Sequence, residues 1–420
     1  MKKLNATTIY LFIEIAASIF FPMIFVASSL YQVTVAELTP LQLVLIGTAL
    51  EVSAFIFEVP TGVVADVYSR RLSIIIGYVL MGSGFLVEGF FPAFLPILLA
   101  QVIWGLGYTF TSGATEAWIS DEIGEESANK LFLRATRVGL WASLVGMGLA
   151  AFIGGANTAL PIRVGGAGIV LIGMVLVLTM PETGFNPTPR EDRNDWQQMG
   201  HTFKQGITAV RARPRLMMVL GIGLFYGLYS EGFDRLWVKH LLDNFELPAI
   251  FMGNQVAFFG ALRAVGTVAT IIAMRAVEKR LDTSQPRAIG RTMLFVTGAI
   301  SVNLVGFALS PLLGLTLALY ILIDVLRDIA IPLYTAWVNQ KLDSGTRATV
   351  LSMSSQVDAL GQIAGGPSVG LIAKLISVTA AISTSGLLLS PALFLIGRAN
   401  RQSLTDDTET KTAALDAGTG

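Results

Sequence analysis

Residues 115–138 read TEAWISDEIGEESANKLFLRATRV, and residues 334–357 read YTAWVNQKLDSGTRATVLSMSSQV. The two align without a gap at an offset of 219, with Ala117 on Ala336, Trp118 on Trp337, Val138 on Val357 and, further along, Gly146 on Gly365. Each stretch joins the end of one apolar run to the start of the next. Each is also the fourth-to-fifth junction in a series of six, so the chain reads as a duplicated half. Six plus six apolar spans related by an internal repeat is a transporter architecture.

The apolar runs lie at roughly 7–33, 40–65, 72–91, 94–118, 132–155, 159–180, 214–237, 250–275, 289–310, 312–338, 348–373 and 376–397. Each is long enough to cross the hydrocarbon core, which needs about 20 apolar residues. Composition agrees. Of 420 residues, 53% are hydrophobic and only 14% charged, with a mean hydropathy of +0.66. That charge is too sparse to coat a soluble protein of this size, where about a quarter is usual. The 42 glycines follow no collagen period and suit close helix packing. The sequence therefore predicts an all-α membrane protein of twelve transmembrane helices. The expected parts are a first half over 1–180, a linker over 181–213, a second half over 214–400 and a polar, disordered tail over 401–420. The linker carries Trp196, Met199, Phe203, Ile207 and Val210 on one helical face. This fits either a helix lying at the membrane surface or a linker helix packed on the bundle.

Orientation follows from the basic residues. If the amino terminus is cytoplasmic, 23 of the 29 lysines and arginines fall on the cytoplasmic side, and only Arg163, Lys239 and Lys374 on the other. Both termini are then cytoplasmic. The first run is too long for a signal peptide and lacks a small-residue cleavage site. Zero cysteines and two histidines leave no zinc knuckle, iron–sulfur cluster or thiol nucleophile, so no metal and no cofactor are expected. A net charge of zero gives no field for nucleic acid. There is no phosphate-binding loop for ATP and no nucleophile elbow, so an enzyme is not expected.

Between the second and third runs stands Gly62-Val-Val-Ala-Asp66-Val-Tyr-Ser-Arg70-Arg71. A glycine, an aspartate four residues on and then a basic pair resemble the loop signature of the major facilitator superfamily. Val67 departs from an often basic position, and Ser69 from one that is usually glycine. The GATEAW run at 113–118 and RAT at 347–349 resemble the branch related to tetracycline and multidrug exporters. The resemblance covers essentially the whole chain and implies the major facilitator fold. It also places the eleventh span, from about Thr346, next to Asp66. On that basis Gly62, Asp66, Arg70, Arg71, Glu116, Asp121 and Arg137 are candidate gate or latch residues between the halves. Gly62 would admit a close helix approach, Asp66 would pair with Arg70 or cap a helix, and Glu116 would pair with Arg134 or Arg137. The alternative is topogenic charge alone. Two features of the proton-coupled branch are missing. The fifth span has Gly146, Gly148, Gly154 and Gly155 but no proline, and Gln101 stands about where an arginine is common. The eleventh span has the better Gly-Pro run at Gly365-Gly366-Pro367.

Charged residues inside a bilayer cost several kcal/mol, so each is a functional candidate. The resemblance places the first, fourth, seventh and tenth spans around a central cavity, which makes Glu14, Glu231 and Asp324 the leading cavity carboxylates. Such a group can exchange a proton near neutral pH or bind a cationic solute. Arg327 can pair with Asp324 or Asp328 on its own span, and Asp358 with Arg263. Glu51 and Glu58 share a face of the second span. Glu88, near the outer end of the third, reads as exposed. Aromatics on the presumed cavity spans, among them Tyr226, Tyr229, Tyr320 and Tyr334, suit an amphipathic cation. The expected function is secondary active transport by alternating access across the cytoplasmic membrane of a prokaryote, working as a monomer. Proton-coupled export of an amphipathic or cationic small molecule comes first. Metabolite uptake by symport and lysolipid transport are the alternatives.

Overall fold

A computed structural model describes residues 5–187, 214–280, 286–341 and 344–401, and among them it is helical throughout with no strand. The order is α1 (Ala6–Thr34), α2 (Pro40–Val63), α3 (Arg70–Phe90), α4 (Phe94–Thr111), α5 (Ala114–Ile123), α6 (Glu125–Gly154) and α7 (Ala159–Thr179). Then come α8 (Pro214–Asn244), α9 (Gln255–Arg280), α10 (Pro286–Leu309), α11 (Leu313–Lys341), α12 (Ser344–Leu375) and α13 (Val378–Leu388). Helix α13 continues past a turn at Leu389 to Arg401. The fourth span is split into α4 and α5 at Gly113, whose φ of 69° an L side chain resists. Counting that pair once gives twelve spans. The segment 188–213, where the amphipathic linker helix was expected, and the tail from 402 lie outside the described residues.

Local chemistry sets the helix starts. Asn5 accepts from the Thr7 amide, and Ser69 from the Leu72 amide at 2.9 Å. Thr39 and Gln42 form a reciprocal capping box, followed by Pro40 at the first helical position. Helix α6 begins at Glu125, seven residues before the apolar run at 132. Its first turn carries Glu125 and Glu126, which suit a helix amino terminus in water.

Among the described residues, nine helices are long and apolar enough to cross a membrane. Spans α8, α11 and α12 are not among them. Each of the three runs into residues whose side chains are not described, and they hold Glu231 and Asp234, Asp324, Arg327 and Asp328, and Asp358 respectively.

Two features repeat between the halves. The Trp118 indole donates to the Pro181 carbonyl at 2.8 Å, and the Trp337 indole to the Asn400 side-chain carbonyl at 3.3 Å. Both tryptophans are 1% exposed, and each acceptor lies 63 residues on. The indole of the fourth span thus anchors the end of the sixth in either half. Likewise a Cβ on Gly146 would sit 2.1 Å from the Ile19 carbonyl, and one on Gly365 would sit 2.4 Å from the Leu228 carbonyl. The first and fifth spans of each half cross backbone to backbone, an approach that only glycine admits.

Two compact units emerge. One contains α1–α7 with Arg235–Thr267 and Gly370–Val378; within it α3 packs on α4 and α7, and α1 on α6 and α7. The other takes α8 up to Asp234, Val268–Val369 and the chain from Thr379, with α10 against α11. Two expectations need correction here. A Cβ on Gly62 would meet nothing within 4 Å among the described residues, so the close approach expected there is not made by any of them. Glu88 is not exposed but fully buried.

Candidate functional site

In the second unit α8, α11 and α12 enclose a cavity of about 570 Å3. Its wall includes Tyr226, Tyr229, Ser230 and Asp234 from α8, Arg327, Ile331, Tyr334 and Thr335 from α11, and Ser354, Asp358 and Gln362 from α12. The crossing of α8 and α12 sets this geometry. A Cβ on Gly227 would lie 2.0 Å from the Asp358 carbonyl, so the two backbones touch beside the cavity.

The charges are arranged asymmetrically. Arg327 grips Asp234 with both guanidinium nitrogens, Nη1 to Oδ1 and Nη2 to Oδ2, the latter at 2.8 Å. Its guanidinium also stands over the rings of Tyr229 at 5.8 Å and Phe233 at 5.9 Å. Asp358 accepts from Gln362 Nε2 at 2.8 Å and forms no ion pair among the described residues. With Arg327 paired to Asp234, Asp358 is the other acidic group of the cavity wall. Three tyrosines furnish its aromatic side. Tyr226 and Tyr229 meet edge to face at 5.8 Å, and the Tyr226 and Tyr334 rings lie 6.4 Å apart. Their hydroxyls are held. Tyr334 donates to the Val219 carbonyl at 3.0 Å and is 2.6 Å from Ser354 Oγ, while Tyr226 Oη is 2.7 Å from Thr297 Oγ1.

The structure distributes the expected site residues differently from the sequence reading. Asp358 and Arg327 line the cavity. Glu231 is buried and does not line it. Asp324 sits one turn before Arg327, near enough for their charges to interact, and is likewise absent from the wall. Arg327 takes a bidentate ion pair from Asp234 on α8, and Asp328 accepts from Thr270 at 3.0 Å. Arg263 stands over the Trp237 ring at 5.5 Å, in the first unit, while Asp358 faces the cavity of the second. Asp234, missed as a leading candidate because it sits near the end of the apolar run, was marked only by its charge.

In the first unit Glu14 is half-buried, close enough to Glu116 for the two charges to interact, with Tyr10 and Tyr78 beside them. Arg137 donates to the Leu133 carbonyl of its own helix at 3.1 Å, and no ion pair between it and Glu116 forms among the described residues. Asp66 is exposed on a π-helical turn over Val64–Tyr68 and has no ion pair among the described residues. Arg70 pairs with Asp121 and not with Asp66. Arg71 donates to the Val177 carbonyl at 2.6 Å.

What organises this end is the run Pro181-Glu182-Thr183-Gly184, which sequence reading treated as the start of a linker. Glu182 accepts from Ser69 Oγ at 2.7 Å and from the Arg71 amide at 2.9 Å. Glu122 accepts from the Thr183 amide, from Thr183 Oγ1 at 2.7 Å and from the Gly184 amide at 2.8 Å. These bonds tie α3, α5 and the end of α7 within one unit. The side chains of residues 339–352, at the start of the eleventh span, lie outside the described residues. Among the described residues no three His, Cys, Asp or Glu cluster as metal ligands would.

Comparison with known proteins agrees with this geometry. A model of the Major Facilitator Superfamily matches residues 6–366. The uncharacterized MFS-type transporter YxaM of Bacillus subtilis (strain 168) is 24% identical over 366 residues, covering 85% of each chain. The crystal structure of the nucleoside transporter NupG superposes with a TM-score of 0.74 at 12% identity, over 94% of this chain and 98% of its own. A bacterial homolog to the human lysosomal transporter Spinster, inward-facing and unoccupied, gives 0.71 at 15% identity, over 97% and 99%. At such identities the likeness to these structures is one of fold. With a family model spanning most of its length and twelve helical spans, the chain belongs to the Major Facilitator Superfamily and is a multi-pass membrane transporter of that type.

Proposed function

We propose that this transporter exports an amphipathic organic cation in exchange for protons, by alternating access across the cytoplasmic membrane of a prokaryote. It works as a monomer with both termini in the cytoplasm. The observation that carries the reading is Asp358, a carboxylate with no ion pair among the described residues, in a cavity walled by Tyr226, Tyr229 and Tyr334. A cationic head would neutralise Asp358, and its apolar body would lie on the tyrosine faces. A proton on the same carboxylate would compete with it. A solute and a proton that cannot occupy one group together are exchanged without further machinery. Glu14, Glu231 and Asp324 stand outside this cavity wall and would act on opening rather than on binding. Glu14 and Glu116 form a cytoplasmic gate in this scheme.

Arg327 favours a second reading. A zwitterion could divide the Arg327–Asp234 pair, placing its carboxylate on the guanidinium and its ammonium on Asp358, as a metabolite symporter would need. The two readings separate in proteoliposomes that hold a pH dye. Under the first, ethidium drives proton release from the protein-bearing vesicles, and Asp358→Asn abolishes it while Glu231→Gln keeps it. If ethidium moves no protons but a labelled zwitterionic metabolite accumulates with them, the exporter reading is overturned.

A further inference from the structure

Glu88 lies two residues before the end of α3, at the end away from Arg70 and Arg71, and is fully buried. The carboxylate accepts from Ser28 Oγ, from Gln32 Nε2 at 2.9 Å and from Gln101 Nε2 at 3.2 Å. Gln32 also donates to Ser28 Oγ at 3.0 Å. All three partners are neutral, and all three are buried. The ionisable groups around it are engaged with other atoms or act on it through their charge. From α7, Arg163 donates to the Gly89 carbonyl at 2.8 Å and stacks on Phe90. From α1, Tyr31 donates to the same carbonyl at 3.5 Å. From α8, Arg235 acts on Glu88 through its field. No ion pair to Glu88 forms among the described residues. A buried carboxylate held only by neutral donors is costly, and a fold keeps one for a reason.

The second half shows that the fold itself does not require it. At the repeat offset of 219, Glu88 corresponds to Phe307 and Gln101 to Tyr320. Those two pack on Phe233, with ring centres 5.4 and 6.2 Å away. Aromatic packing fills there the place that the first half gives to a polar cluster.

One more atom points to a ligand. Gln101 is 2% exposed, and its Oε1 has no hydrogen-bond partner. A buried acceptor without a donor is expensive. A half-turn of the amide would bring Oε1 to face Glu88 in place of Nε2. The amide then serves both forms of the acid, donating to the carboxylate and accepting from the carboxylic O–H.

We propose that Glu88 is a proton-binding site of the transport cycle, in the first half and separate from the cavity at Asp358, with Gln101 as the amide that accommodates either protonation state. The proton adds to one Glu88 oxygen and leaves from it; no other bond changes. The role in the cycle rests on the proton-coupled reading above, whereas the binding of a proton does not.

The test therefore has two readouts. Infrared difference spectra of the whole purified protein in nanodiscs, taken across a pH step, should show the carbonyl stretch of a protonated carboxylic acid. Glu88→Gln should remove that band, Glu88→Asp should keep it at a moved midpoint, and Asp358→Asn should leave it in place. In vesicles Glu88→Gln should lower ethidium accumulation driven by a pH gradient about tenfold. Persistence of every carboxylic band in correctly assembled Glu88→Gln, or absence of any such band in the unmodified protein, overturns the proposal. If ethidium is not transported but the band is lost with Glu88, the proton site stands and the drug-export reading falls.

Discussion

The charges of the cavity were visible in the sequence as residues but not as partners. Within one helix, spacing can offer Arg327 only Asp324 or Asp328. The partner it takes, Asp234, is 93 residues away on α8. Pairing across helices depends on register, which no single span encodes. Because Arg327 and Asp234 keep side-chain exposures of 24% and 41%, removing one should cost about 1–2 kcal/mol, less than for a dry pair. Asp234→Asn and Arg327→Gln should each lower the thermal midpoint in detergent. The double variant should recover part of the loss, since neither charge is then left alone. Equal additive losses in the double variant would show that the two do not pair. Glu88 teaches the opposite lesson. Its place near a helix end reads as exposure, and only the tertiary arrangement of Ser28, Gln32 and Gln101 reveals a buried cluster.

Helices were the most readable level. Twelve runs of apolar residues became twelve spans because the hydrocarbon leaves the backbone no other way to satisfy its hydrogen bonds. Caps such as Thr39 and Ser69 and the left-handed Gly113 then trimmed their ends. What stayed hidden was the clamp at Pro181–Gly184, because its chemistry lies in backbone amides that meet Glu122 and Glu182 only after folding. The repeated tryptophan was visible as a matched letter, and its bond was not. Trp118→Phe and Trp337→Phe should each cost about 1 kcal/mol through the lost indole donor. The bonds share no atoms, so the costs should add within about 0.5 kcal/mol. Thermal unfolding of the single and double variants measures both; a double variant no worse than either single would deny the anchors their separate roles.

At the scale of the molecule, duplication and charge asymmetry carried the reading, because both are summed over hundreds of residues and tolerate local error. The orientation they imply is directly measurable. A green fluorescent protein fused after residue 420 should fluoresce, and alkaline phosphatase fused in the turn at Phe91 to Ala93 should be active. Reversal of both reporters would invert the topology. Duplication did not make the halves alike in chemistry: the first buries Glu88 where the second stacks Phe307 and Tyr320, and the second opens the cavity at Asp358.

The anchor from Trp118 to Pro181 also has a consequence for how the protein is made. Every atom of that closure, and of the clamp that follows it, belongs to the first 184 residues. At 5–20 residues per second, the remaining 236 residues occupy the ribosome for on the order of ten to fifty seconds. The tie between the fourth and sixth spans therefore has time to lock before the matching tie of the second half is made, which leaves fewer loose helices with which later spans could mispair.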